Sequence, residues 1–204
     1  MPLSLEVNHR EYAAHADRIR DLAAHVPAFA NNYQVLLTEM LVLQAFYLFE
    51  SAIENIAAKI VCGAPYVDGS VPVVLRRART IDDALNDMRT VGRAKPKGLL
   101  KWNKPKEIIG NVRHLIHASE NLCTVCKNHA ASINEIRIVR NHIAHNNDGT
   151  RRDFAKVVTR RLTARPRRLP RPGAFLLREF TPGTTLLVEY VVTLGVLVKD
   201  AARA

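Results

Sequence analysis

From Asn31 or Asn32 the chain runs for about thirty residues before Gly63 and Pro65 interrupt it, and Leu36, Leu37, Met40, Leu43, Tyr47, Ala52, Ile56 and Ile60 recur along this stretch at helical spacing. An asparagine at its start can cap the helix by accepting from an orphaned backbone N–H. A segment this long predicts the central helix of a bundle, and the remaining elements have to be read around it.

Other stretches carry the same period. Tyr12, Ala16, Ile19, Leu22, Ala23 and Val26 predict a first helix over 10–26, closed by Pro27. Residues 63–80, with Gly63, Pro65, Gly69 and Pro72, read as a connection. Thr80 followed by Asp83 resembles a capping box opening a short helix over 81–91. Asn103 before Lys104-Pro105 looks like the start of the next, whose buried stripe is Ile108, Ile109, Val112, Leu115 and Ile116. A further helix is expected from about Glu120 to Ala144, with Leu122, Val125, Ala130, Ile133, Ile136, Val139 and Ile143 close to one face. Thr150 and Asp153 suggest a cap before Phe154–Leu162. Ala174–Phe180 reads as a short strand, and Thr181-Pro182 as the start of a last helix reaching about Ala202. The expected fold is therefore all-α, a bundle of five to seven helices with a short strand near 174–180. The expected organisation is one domain over 1–204, with a core over about 10–160, a Pro/Arg loop over 164–173 and a C-terminal helix over about 182–202.

Charge narrows the partner. Thirty Lys and Arg against 19 Asp and Glu leave a formal charge of +11 on 204 residues, while the 48% hydrophobic content is ordinary for a folded chain. Such an excess draws phosphate-bearing polymers or anionic surfaces. Arg165, Arg167, Arg168 and Arg171 concentrate it in a loop where Pro166, Pro170 and Pro172 exclude helix. Cys62, Cys123 and Cys126 are too few for a disulfide framework, so a reducing compartment, the cytoplasm, is expected. No basic segment followed by an apolar run opens the chain, so no secretory signal is expected. Glu39, Gln44, Glu50 and Glu54 interrupt the most apolar stretch, so no membrane span is expected either.

The chemistry concentrates in Arg137-Ile138-Val139-Arg140-Asn141-His142-Ile143-Ala144-His145. With Ile136, Val139 and Ile143 anchoring one helical face, Arg137, Arg140, Asn141, His142 and His145 fall on the others. At about 100° per residue, Asn141 and His145 are about 40° apart and Arg140 and His145 about 140° apart. Arg140 and His145 of one undistorted helix could not grip one phosphate. Either the helix loosens near His145, where Asn146, Asn147 and Gly149 signal its end, or a second copy of the segment faces the first. Metal-free RNA cleavage needs this pair of residue types. A group that titrates near neutrality moves protons at the 2′-hydroxyl and the leaving oxygen, and a fixed cation stabilises the phosphorane-like state.

Arg140-Asn141-His142-Ile143-Ala144-His145 resembles the signature of the HEPN (higher eukaryotes and prokaryotes nucleotide-binding) family: an arginine, four to six residues, then a histidine, often with Asn after the arginine. Phe49-Glu50-Ser51-Ala52-Ile53-Glu54 is similar to the acidic stretch on an early helix of HEPN branches from prokaryotic defence loci. The resemblance covers roughly residues 10–160 and implies an HEPN-like helical bundle. It also implies a homodimeric, metal-independent ribonuclease, a toxin or defence effector, that leaves a 2′,3′-cyclic phosphate. In that reading His145 is the general acid/base, Arg140 binds phosphate, Asn141 supports them, and Glu50, with Glu54 nearby, tethers Arg140. Arg137, Arg165, Arg167, Arg168 and Arg171 are candidate RNA contacts, RNA and a neutralising antitoxin are the expected partners, and no cofactor or metal is required.

Other sites of possible chemistry fit less well. His114, His117, Cys123 and Cys126, with His129 behind them, could supply zinc ligands, but one Cys-x-x-Cys lacks the second half of a zinc signature and fits buried small residues as well. His142 stands only two residues after Arg140, outside the HEPN spacing. No phosphate-binding glycine loop, Ser-His-Asp context or His-Glu-x-x-His occurs. The rival reading is a non-catalytic RNA- or protein-binding HEPN module; a DNA-binding regulator lacks a clear recognition helix.

Overall fold

Local capping and breaking signals set several helix boundaries in the computed structural model, which describes residues 3–203. Met1 and Pro2, on which part of the amino-terminal reading rests, and Ala204 lie outside the described residues. The fold is all-α, 66% helical, with nine α-helices and one two-stranded hairpin among the described residues. Helix α1 (Leu5–His25) buries Leu5, Tyr12, Ile19 and Ala23, a seven-and-four spacing that places them on one face. It ends in a 3₁₀ turn at Val26–Ala28 containing Pro27. Helix α2 (Asn31–Val61) is the long helix expected from its periodicity. By length and composition alone it could cross a membrane, a property shared by buried core helices.

Thr80 forms its capping box: Asp83 N donates to Thr80 Oγ1 at 3.1 Å and Thr80 N to Asp83 Oδ2 at 3.2 Å, opening α3 (Ile81–Thr90). Helix α4 (Pro105–Val112) has Pro105 in its first turn, with Lys104 rather than Asn103 as the capping residue. The single helix expected from Glu120 to Ala144 is two, α5 (Asn121–Asn128) and α6 (Ala130–His145). His129 leaves helical geometry at φ −102°, ψ 18°. A one-residue break barely shifts the apolar phase, so Leu122, Val125, Ile133 and Ile136 read as one stripe across it.

Helix α7 (Asp148–Leu162) starts six residues before the expected Phe154. Asn147 is the N-cap, accepting from Thr150 N at 3.0 Å while its own N–H donates to Thr150 Oγ1 at 3.1 Å. Thr150 is thus the third helical residue, and Asp153 lies well inside. The asparagine–threonine box outweighs Gly149, which costs only about 1 kcal/mol within a helix. Further on, Ala174–Phe180 is not one strand. Pro172 opens a short helix α8 (Pro172–Leu176), and the extended residues are β1 (Glu179–Thr181) and β2 (Thr184–Thr185), paired antiparallel. Pro182-Gly183 turns that hairpin, with Gly183 at φ +74°, so Thr181-Pro182 cannot cap the final helix, and α9 runs Leu186–Ala201.

The residues group into two compact units, one formed by the residues up to 13, 49–133 and from 195 onward, the other by 14–48 and 134–194. In the first, Phe49, Ile53, Ile56, Met88, Ile108, Val112, Leu122 and Val198 are buried. Buried Glu120 pins the 66–74 connection there, accepting from Tyr66 Oη at 2.5 Å and Val73 N at 3.0 Å, and an isolated bridge pairs Val74 with Ile116. The second unit buries Thr38, Val42, Phe46, Ile136, Val139, Phe154, Val158, Phe175 and Tyr190. Its rings meet in sequence: His142 stacks on Phe154 at 4.9 Å, and Phe154 with Phe175 at 5.5 Å and Phe175 with Phe180 at 5.7 Å meet edge to face.

Candidate functional site

Helix α6 carries the arginine–histidine segment into the second unit. Ile136 and Val139 face its core, as their spacing requires, but the next inward residue is His142, 6% exposed, and Ile143 is only half-buried. Sequence reading placed Ile143 in that stripe because it is apolar. The structure instead continues the three-residue spacing and fills the position with the imidazole stacked on Phe154. Its Nδ1 lies 3.3 Å from Thr150 Oγ1. Burial, then the nearby Arg151 charge, holds the His142 pKa below its ordinary value, against the opposing pull of Glu39. His142 packs into the core against Phe154.

Arg140 and Asn141 are brought together. Arg140 Nη1 donates to Asn141 Oδ1 at 3.1 Å, and the guanidinium lies 5.8 Å from the Phe46 ring centroid. That contact fixes the cation against the core. His145 occupies the last helical position of α6 and is exposed. The helix does not loosen before it: Asn146, at φ +39°, is the first residue to leave right-handed geometry. Arg137 is half-buried one turn earlier, and its Nε has no hydrogen-bond partner among the described residues. Desolvation lowers its pKa, with Asp153 opposing. Glu50 and Glu54 lie half-buried on the portion of α2 in the first unit.

Two clefts flank the Pro/Arg loop within the second unit. One, about 450 Å³, is lined by His142, Ile143 and Asn146 at the end of α6, by Leu36 and Glu39 of α2, and by Arg171. Gly173 seats the loop there. A Cβ at this position would lie 2.2 Å from Val35 O, and Gly173 N donates to Glu39 Oε1 at 2.9 Å. The other, about 520 Å³, lies between α7 and the loop and brings Arg165 and Arg167 beside Arg151 and Arg152. Arg168 is exposed outside both clefts. Sequence reading missed Arg151 and Arg152. The available signal was two arginines directly after a helix start, where cations oppose the macrodipole.

The cysteine–histidine cluster does not assemble. Cys123 and Cys126 are buried, and desolvation pushes the Cys126 thiol up to about 12, whereas His114 and His117 are exposed. Among the described residues no three His, Cys, Asp or Glu side chains stand where they could share a metal ion. In comparisons with known proteins, no family model, curated protein or solved structure matches this chain.

Proposed function

We propose that the chain is an HEPN-type, metal-independent endoribonuclease, acting in the cytoplasm as a toxin or defence effector. The observation that carries this reading is the end of α6: Arg140 held by Asn141 and Phe46, with His145 exposed on the last turn. Arg140 binds the scissile phosphate and stabilises charge on its oxygens. His145 takes the 2′-hydroxyl proton as its oxygen attacks phosphorus, or protonates the departing 5′-oxygen as the P–O5′ bond breaks. The products are a 2′,3′-cyclic phosphate and a 5′-hydroxyl.

The two groups act across a two-fold pair of chains. Because α6 stays helical through His145, one chain presents Arg140 and His145 about 140° apart around the axis. A second copy can bring an arginine and a histidine to the same phosphate. An apolar stripe supports such pairing: Tyr33, Leu36, Met40 and Tyr47, at helical spacing on α2, are each more than half exposed, and Leu36 borders the cleft that holds His142 and Asn146.

Purified protein should cut single-stranded RNA in EDTA, with cyclic-phosphate ends seen by mass spectrometry. Arg140→Ala and His145→Ala should each abolish cleavage while retaining the helical spectrum; full activity in both variants removes the mechanism. The alternative, an RNA- or protein-binding module without catalysis, draws on the arginine-lined cleft and is favoured by salt-sensitive RNA binding without product.

A further inference from the structure

From the cleft between α7 and the Pro/Arg loop we infer a binding track for the sugar-phosphate backbone of single-stranded RNA, leading away from the end of α6; the inference rests on the ribonuclease reading for its substrate. Arg151, Arg152, Arg165 and Arg167 line this cleft of about 520 Å³, with Asp148 as its carboxylate and Pro166 and Leu169 as apolar walls. Its volume falls in the range of ligand-sized clefts, roughly 300–1,000 Å³.

Charge balance along α7 separates a structural use of arginine from a binding one. Near its C-terminus, Arg160 and Arg161 both pair with buried Glu135, and Arg161 also pairs with Glu189 at 3.1 Å. Those cations also suit the negative end of the helix dipole. Near its N-terminus, Arg151 and Arg152 sit against the dipole, and neither they nor Arg165 and Arg167 make an ion pair among the described residues. Four guanidinium groups share one concavity with a single lining carboxylate, Asp148, and of the four Asp153 acts only on Arg152, so a positive excess remains and the groups repel one another. A polyanion relieves that repulsion and receives bidentate hydrogen bonds.

The loop is shaped to hold them there. Thr163, at φ +55°, ends α7 in the left-handed region and turns the chain back, and three prolines stiffen the return. Arg151 and Leu169 line both this cleft and the one containing His142, Asn146 and Arg171. The two concavities therefore adjoin at Arg151 and Leu169, and in the proposed track a strand gripped by the arginines passes these side chains towards the residues that precede and follow His145.

The test uses full-length protein carrying His145→Ala, so that a fluorescent single-stranded RNA stays intact, and measures anisotropy against salt. Combined Arg152→Gln, Arg165→Gln and Arg167→Gln should weaken binding at least roughly tenfold and flatten the log–log salt dependence by about 0.7 per lost phosphate contact. The same three-charge loss on α1, Arg10→Gln, Arg18→Gln and Arg20→Gln, should do neither. In the cleaving background the cleft variant should raise KM more than it lowers kcat. Equal effects of the two triple variants, or no RNA binding by the His145→Ala protein, overturn the track. Cleft-dependent binding without product from the unsubstituted chain leaves the track standing and removes the ribonuclease. Cleavage whose KM ignores the cleft variant does the reverse.

Discussion

His142 and His145 are three positions apart, and their surroundings separate their roles. His142 is enclosed by Phe154, Thr150 and the approaches of Arg151 and Glu39, and burial holds its pKa below the ordinary histidine value. Its folded pKa lies below the unfolded value, so the unfolded chain binds more protons as pH drops through the ordinary histidine range near 6.5. The stability it contributes is complete above that range and declines as pH falls below it. His9, lowered by burial and by Arg203 and Lys199, acts with the same sign. The urea midpoint should therefore fall between pH 7.5 and 5.5, and His142→Gln should reduce that fall; an undiminished fall in the variant removes His142 from the account.

At the scale of elements, the turn between α6 and α7 positions both the exposed histidine and the arginine cleft. It consists of Asn146 in left-handed geometry and Asn147 as a reciprocal cap, so α7 starts immediately and presents Arg151 one turn later. Asn147→Ala should cost about 1 kcal/mol, lowering Tm by roughly 2–4 °C for a chain of this size. RNA affinity should weaken with it, because the cap sets where Arg151 and Arg152 stand. A calorimetric scan and an anisotropy titration on one preparation would check both. Loss of affinity without any change in Tm would contradict the capping argument.

For the whole molecule, the proposed composite site ties activity to association. If cleavage needs an arginine and a histidine from two chains, then Met40→Lys in the exposed α2 stripe should shift the protein to monomer in sedimentation and abolish cleavage with its helical spectrum intact. Met40 is 57% exposed, so the substitution buries no charge within one chain. Dilution of the unsubstituted protein should lower specific activity in parallel with the dimer fraction. A fully active monomer would exclude the composite site.

Much of this was legible from order along the chain. Apolar spacing marked α2, the Thr80 box marked α3, and Arg140-Asn141 with His145 marked the candidate site, because period and cap chemistry act between residues a few positions apart. Four decisions needed tertiary contacts. The His129 break was hidden because a one-residue interruption keeps the apolar phase. Strand and helix exchanged places over 172–185 because Gly173 must approach the α2 backbone closely and Pro182-Gly183 must turn a hairpin. His142 went inward because a neighbouring ring was there to receive it. Arg151 and Arg152 became cleft residues because the loop turns back past them at Thr163. The sequence by itself determined the helical class and which side chains could do chemistry. Tertiary structure decided which histidine stays accessible and which arginines converge, since burial and proximity depend on residues distant along the chain.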